Sequence, residues 1–241
     1  MALFNHLEIE TIGSCNRKCG WCMRNTDPDR EAVSSHFSGT KLPTKVIKRL
    51  VDEAVGHGFD GTVCLSHYNE PLQDSRIAKL GEYVSGLGLR VSMHSNGDLL
   101  TPDLAASLDG AFSVITFACY DRLTAKERKE MILGLFRHTR ISFAGDVIPT
   151  HFSQVFEVGG LVAKNLRSPC YEPDKRMIVN HAGQMLLCCN DMTGRFGLPT
   201  VYEGLTVGEM WYTGRRVFLS RRLKEQDGRG VHQHCLQCPR P

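Results

Sequence analysis

An excess of charge of either sign is almost missing from this 241-residue chain: 29 Lys and Arg stand against 26 Asp and Glu, a formal +3 at pH 7. With the basic residues spread along the sequence, that balance argues against nucleic acid as the main partner. Long hydrophobic runs are missing too. No stretch approaches the roughly 18 uncharged residues of a membrane span, so no membrane partner is expected. The first residues have neither a basic lead nor an apolar run long enough for a secretion signal, and a cytoplasmic location is expected. Internal repeats and low-complexity tracts are also lacking, which excludes repeat arrays. Cysteine, by contrast, is plentiful at ten residues. Without a secretion signal, these point toward metal or redox chemistry rather than disulfides. With 41% apolar and 23% charged residues, the chain can bury a core as one large domain or one domain plus an appendage.

Periodicity predicts the architecture. "HLEIETIG" from His6, "GTVCLSH" from Gly61, "LRVSMHS" from Leu89, "SVITFAC" from Ser113 and "RISFAGD" from Arg140 read as short strands. Helical patterns lie between them: Ile47, Leu50, Val51 and Ala54 recur at helical spacing, as do Ile77, Leu80 and Val84, and "DLAASL" and "AKERKEMILGLF" supply two more. The alternation predicts parallel βαβ units, in a doubly wound sheet or a partial (β/α) barrel; a complete eight-fold barrel does not fit. Past about residue 166 the rhythm changes. "RMIVNHAGQMLLCC" predicts a hairpin turning at Ala182 and Gly183, followed by a short helix around "VGEMWY" and a basic helix around "RRVFLSRRLKEQ". The expected division is an α/β core over residues 1–166 and a small cysteine-bearing unit over 167–241.

In such folds the reactive groups lie on loops after the C-terminal ends of strands. The first predicted strand runs into "SCNRKCGWCMRN", with Cys15, Cys19 and Cys22 on one short loop and no fourth cysteine beside them. Three thiolates there can hold three irons of a 4Fe-4S cluster and leave the fourth open to another ligand. The competing readings are a zinc site completed by a distant histidine, or three incidental thiols.

The spacing C-x3-C-x-aromatic-C, here Cys15, Cys19, Trp21 and Cys22, resembles the signature of the radical S-adenosylmethionine enzymes. In that family the open iron chelates the amino and carboxylate groups of S-adenosylmethionine. The likeness extends to "HYNEPL", which stands where the family carries Gly-Gly-Glu-Pro. It implies that Glu70 and Asn69 face the methionine amino group, although Tyr68 and Asn69 replace the glycines. "SNGDLLT" lies where the family reads Thr-Asn-Gly, which implies Ser95 and Asn96 along the same pocket. Asn-Gly is also an ordinary turn.

A second cysteine group follows. Cys170, Gly183, Cys188 and the pair Cys235 and Cys238 resemble the opening of the family's SPASM extension in its shortened form, the twitch domain. The resemblance implies an auxiliary 4Fe-4S cluster on Cys170, Cys188, Cys235 and Cys238; a structural zinc on the same four is the alternative. His232 and His234 flank the last pair and read as solvated neighbours. Cys189 is expected on the other side of its strand, as a buried apolar residue or as a hydrogen-atom donor near substrate. Cys64 and Cys119 fall inside strands and are assigned to the core unless they face the cofactor pocket; Cys119 is then a second donor candidate.

The family resemblance implies a partial (β/α) barrel of about five to six units with a small C-terminal twitch domain of a β-hairpin plus helix, and an oxidoreductase with two 4Fe-4S clusters and S-adenosylmethionine, generating a 5′-deoxyadenosyl radical that abstracts a hydrogen atom from substrate. A flavodoxin- or ferredoxin-type protein is the implied electron donor. The expected substrate is a small molecule, with oxidation of a sugar or aminocyclitol alcohol favoured, because the first strand begins near His6 and leaves no preceding peptide-recognition domain. One alcohol-oxidising member of the family that the chain resembles carries an arginine, its presumed base, before a Gly-Gly pair ahead of the auxiliary cluster; here Val158 precedes Gly159 and Gly160, so that arginine is missing. The other readings are modification of a ribosomally made peptide, by cross-linking or epimerisation, and a zinc-stabilised binding module without enzymatic activity.

Overall fold

The computed structural model describes residues 2–20, 22–26, 33, 37, 39–118, 125–144, 169–231 and 235. Strand β1 (His6–Ile9) leads through the cysteine loop and the single turn α1 (Met23–Thr26) to helix α2 (Thr44–Gly56). Then come β2 (Thr62–Cys64), α3 (Ile77–Gly86), β3 (Arg90–Ser95), α4 (Pro102–Leu108), β4 (Val114–Ala118), α5 (Ala125–Leu135) and β5 (Arg140–Ala144). Helix α2 forms where the sequence predicts it, and Ile47, Leu50, Val51 and Ala54 make its buried stripe. Thr101 caps α4 by accepting the Leu104 amide at 3.2 Å, and Pro102 fits the first turn because its missing N–H has no helical partner there.

The strand order β5-β4-β3-β2-β1 is sequential and every neighbouring pair is parallel. A doubly wound sheet reverses direction at its middle. Here each crossover steps the same way, which puts the helices on one face and curls the sheet into a partial barrel. The two faces differ accordingly. Leu7, Ile9, Val63, Val91, Met93, Ile115 and Phe117 point outward under the helices and are fully buried. The alternate residues face the barrel interior, where the register aligns Glu8 with Cys64 and Ser92, and His94 with Thr116 and Ser142. The interior is therefore polar. Cys64 belongs to this polar face and not to the apolar core: its thiol lies 3.5 Å from Ser66 Oγ, and burial pushes its pKa up to about 11.

The cysteine-bearing C-terminal segment joins the same sheet. After α6 (Glu172–Lys175), β6 (Arg176–Val179) pairs parallel with β1, and β7 (Met185–Leu186) returns antiparallel against β6. β6 thus supplies a sixth parallel strand on the opposite side of β1 from β2. Helix α7 (Val207–Trp211) starts with a capping box between Thr206 and Glu209, and its Val207 amide donates to Glu53 of α2 at 2.7 Å. Helix α8 (Gly214–Lys224) follows. Among the described residues no helix is long and apolar enough to cross a membrane.

Gly183 makes the β6–β7 turn possible. Its φ of +79° is the left-handed region, and a Cβ there would lie 2.6 Å from the Val201 side chain and 2.7 Å from the Tyr202 ring. Gly183→Ala should destabilise the protein by about 1–3 kcal/mol, the usual range for a residue forced into such a conformation. Urea denaturation measures it; an unchanged midpoint would show that the turn relaxes without cost.

Candidate functional site

All three conspicuous loops leave the C-terminal ends of adjacent strands, and one carboxylate binds them together. Glu70, only 2% exposed, follows β2. Its Oε1 accepts the Leu72 amide at 3.0 Å and the Ser95 hydroxyl at 2.7 Å, while Oε2 accepts the Asn96 amide at 2.8 Å. The Glu70 amide donates to the Ser14 carbonyl at 2.8 Å, immediately before the first cysteine. Burial raises the Glu70 pKa, and the donors from Asn96, Ser95 and Leu72 work against that rise by favouring the carboxylate. A carboxylate offers about four acceptor positions, so three donors leave one to spare. The sequence motifs containing Glu70, Ser95 and Asn96 thus converge on one point.

The cysteine loop is fastened on both sides. Asn96 Nδ2 donates to Asn16 Oδ1 at 2.9 Å and lies 3.9 Å from Cys15 Sγ, which also receives the Arg17 amide at 3.5 Å. Asp98 takes Arg17 on one side and Arg128 of α5, at 2.7 Å, on the other. Those guanidiniums, Arg17 first, hold the Asp98 carboxyl down at about 2. The Asn25 side chain donates to the Cys19 carbonyl at 2.9 Å, closing the far end. The three thiols sit near enough to influence one another: burial drives the Cys22 pKa up to about 11, and Cys19 and Cys15 add to the rise. Burial likewise raises Cys19, with Cys15 contributing. Such thiols stay neutral at pH 7 unless a metal takes their protons. Trp21 lies outside the described residues.

Asn69 is 9% exposed; its Oδ1 accepts the His67 amide at 2.9 Å, while its Nδ2 is a buried donor with no partner. Tyr68, which stands where a glycine is expected, has a reason to be large. Its hydroxyl donates to the Cys189 carbonyl at 2.9 Å, and its ring packs with Val33, Phe37 and Met192. This residue mechanically connects the first cysteine loop with the second cysteine group, a link that sequence reading missed because only the tertiary fold supplies the partner. Two carboxylate–histidine pairs lie beneath: Glu8 Oε1 is 2.7 Å from His67 Nδ1, and Glu10 Oε2 is 2.7 Å from His181 Nδ1. His181 rests directly on Gly13, where a Cβ would fall 2.3 Å from its ring.

In the second group, Cys170, Cys188 and Cys235 line one cavity with Pro173, Leu187, Asn190, Phe196, Leu223 and Arg229. The Cys170 amide is anchored to the Leu223 carbonyl at 2.7 Å. Cys188 is pushed well above the ordinary thiol pKa, by burial first and then by Cys189, Asp191 and Cys235. Cys189 is half-buried rather than packed in the core. Cys238, Cys119, His232, His234 and the Val158 to Gly160 stretch lie outside the described residues. Among the described residues, no three His, Cys, Asp or Glu side chains converge closely enough to hold a single metal ion.

A partial β/α barrel with a tethered cysteine loop at its C-terminal rim defines a class, and comparison with known proteins names it. Residues 9–119 match the family model for the Radical SAM superfamily. That stretch of the chain is a radical SAM domain. It is 22% identical over 252 residues to the S-adenosyl-L-methionine-dependent 2-deoxy-scyllo-inosamine dehydrogenase of Niallia circulans, covering 98% of this chain and 93% of that one. Its fold matches BtrN crystallised with AdoMet and 2-DOIA at a TM-score of 0.75 and 18% identity, over 99% of this chain and 94% of BtrN. It also matches anSMEcpe with bound AdoMet and the Cp18Cys peptide at a TM-score of 0.59 and 12% identity, over 97% of this chain and 87% of that one.

Replacing Glu70 tests the junction itself. Glu70→Gln presents one oxygen where two are used, and should cost about 1–3 kcal/mol in stability through donors left unsatisfied. Ser95→Ala removes one donor and should cost about 1 kcal/mol. Equal, negligible losses in both variants, measured by urea denaturation, would mean that the carboxylate does not hold the three loops.

Proposed function

We propose that this protein is a radical SAM oxidoreductase that oxidises an alcohol of a small polar molecule, of the sugar or aminocyclitol kind. Residues 1–166 form the partial barrel, and residues 167–241 form a twitch unit. Cys15, Cys19 and Cys22 hold a 4Fe-4S cluster, and Cys170, Cys188, Cys235 and Cys238 hold a second. The observation that carries the reading is the Glu70 junction, which sets a three-thiol loop beside a buried polar rim at the C-terminal ends of β1, β2 and β3. Sulfur-only donors suit an iron–sulfur cluster, and a cubane core spreads its thiolates farther apart than one ion does.

Bound together, the first cluster and S-adenosylmethionine supply hydrogen-atom abstraction. The chain's part is to bind and orient. Glu70 has an acceptor position for an ammonium, the Asn69 amide has a donor without a partner, and Ser95 and Asn96 fix the wall between them. The polar interior, with Glu8, His94, Thr116 and Ser142, suits a hydroxyl-rich substrate better than an apolar one. Likeness to the inosamine dehydrogenase over nearly the whole chain supports the small-molecule reading. The peptide bound to anSMEcpe keeps peptide modification as the second reading. A flavodoxin- or ferredoxin-type protein is the proposed electron donor.

The two cysteine groups should separate by mutation. The anaerobically reconstituted protein should hold about eight irons, four for each of two 4Fe-4S clusters. Cys19→Ala should abolish reductive cleavage of S-adenosylmethionine. Cys235→Ala, if folded by circular dichroism and retaining the first cluster, should still form 5′-deoxyadenosine but fail to oxidise substrate. A colourless zinc protein that cleaves no S-adenosylmethionine would establish the binding-module reading instead.

A further inference from the structure

A fully buried cation lines the second cysteine cavity, and neither the hydrogen-atom chemistry nor the cofactor pocket uses it. Arg229, on the short 3-10 turn Gly228–Val231, is 1% exposed and the bulkiest of the fully buried side chains among the described residues. It lines the same cavity as Cys170, Cys188 and Cys235. The remaining lining is almost entirely apolar: Pro173, Leu187, Phe196 and Leu223, with Asn190 as the one neutral polar side chain. Asp191, near Cys188, accepts the Leu187 amide at 3.0 Å and the Arg195 amide at 2.8 Å. Negative charge gathered close to a buried guanidinium is stabilising, whatever other partners the group has. Thiolates gathered on a metal core supply that charge, and in an apolar cavity it is weakly screened.

We infer that Arg229 is the built-in counter-charge of the auxiliary cluster and raises its reduction potential. This inference rests on the two-cluster reading above. An iron–sulfur core with four thiolates is net negative and gains one more negative charge on taking up an electron. A fixed cation beside it therefore favours the reduced form. That suits a site taking up the electron that leaves an alcohol during oxidation. The alcohol gives up one hydrogen atom, one proton and one electron as its carbon–oxygen bond becomes a carbonyl.

The test is an anaerobic redox titration of the full-length, reconstituted protein, followed by electron paramagnetic resonance. S-adenosylmethionine is added to shift only the signal of the first cluster and so tell the two apart. Arg229→Met, which keeps bulk and removes charge, should make the auxiliary cluster at least tenfold harder to reduce, a fall of about 59 mV for one electron. Arg229→Lys should stay near the parent, and the first cluster should not move in either. Loss of auxiliary iron from Arg229→Met but not from Arg229→Lys, with circular dichroism unchanged, also supports the charge role. An unchanged auxiliary potential in Arg229→Met overturns the inference while leaving the two-cluster reading intact. Loss of that iron from both variants assigns Arg229 to packing and overturns it too. A parent protein with only four irons overturns the two-cluster reading first, and the inference with it.

Discussion

Glu70 is the constraint on which the upper rim of this barrel depends. A buried carboxylate is costly in an apolar setting, and the cost is offset only if its lone pairs are filled. Here the donors are the Leu72 amide on its own loop and the Ser95 hydroxyl and Asn96 amide at the end of β3. Its backbone amide in turn fixes Ser14, one residue before the cysteine loop. The ends of three parallel strands are therefore set relative to one another by one side chain and its amide. Asn96 passes the constraint on to Asn16 and Cys15, and Asp98 passes it on through Arg17 to α5.

From the same loop, Tyr68 reaches the second cysteine group through the Cys189 carbonyl, while His181 leans on Gly13 from the β6–β7 turn. β6 seats directly beside β1, so the segment bearing Cys188 grows out of the same sheet as the segment bearing Cys15. Both cysteine groups thus hang from one rigid frame. The polar barrel interior beneath, Glu8 with His67 and Cys64 with Ser66, offers a hydrogen-bonding surface.

Much of the architecture was legible in the sequence. The five parallel strands announce themselves as short β-branched runs, and α2 as a stripe of Ile47, Leu50, Val51 and Ala54, because burial on one side imposes a period on the chain. The cysteine loop was legible for a different reason: metal ligands need fixed spacing, and spacing survives in one dimension. Cys64 was harder to read. A cysteine in a strand looks the same whether it faces apolar helices or a polar lumen, and only the register with Glu8 and Ser92 decides it.

By itself, then, the sequence determined the strand and helix order, the thiol-bearing loop at a strand end and the family resemblance, since each depends on local spacing or period. The tertiary structure alone decided that β6 joins β1 and that Tyr68 bridges the two cysteine groups. It alone also decided that Arg229 shares a cavity with Cys170, Cys188 and Cys235. These are contacts between residues far apart in the chain. No local pattern encodes them, because the free energy that selects them belongs to the packed whole.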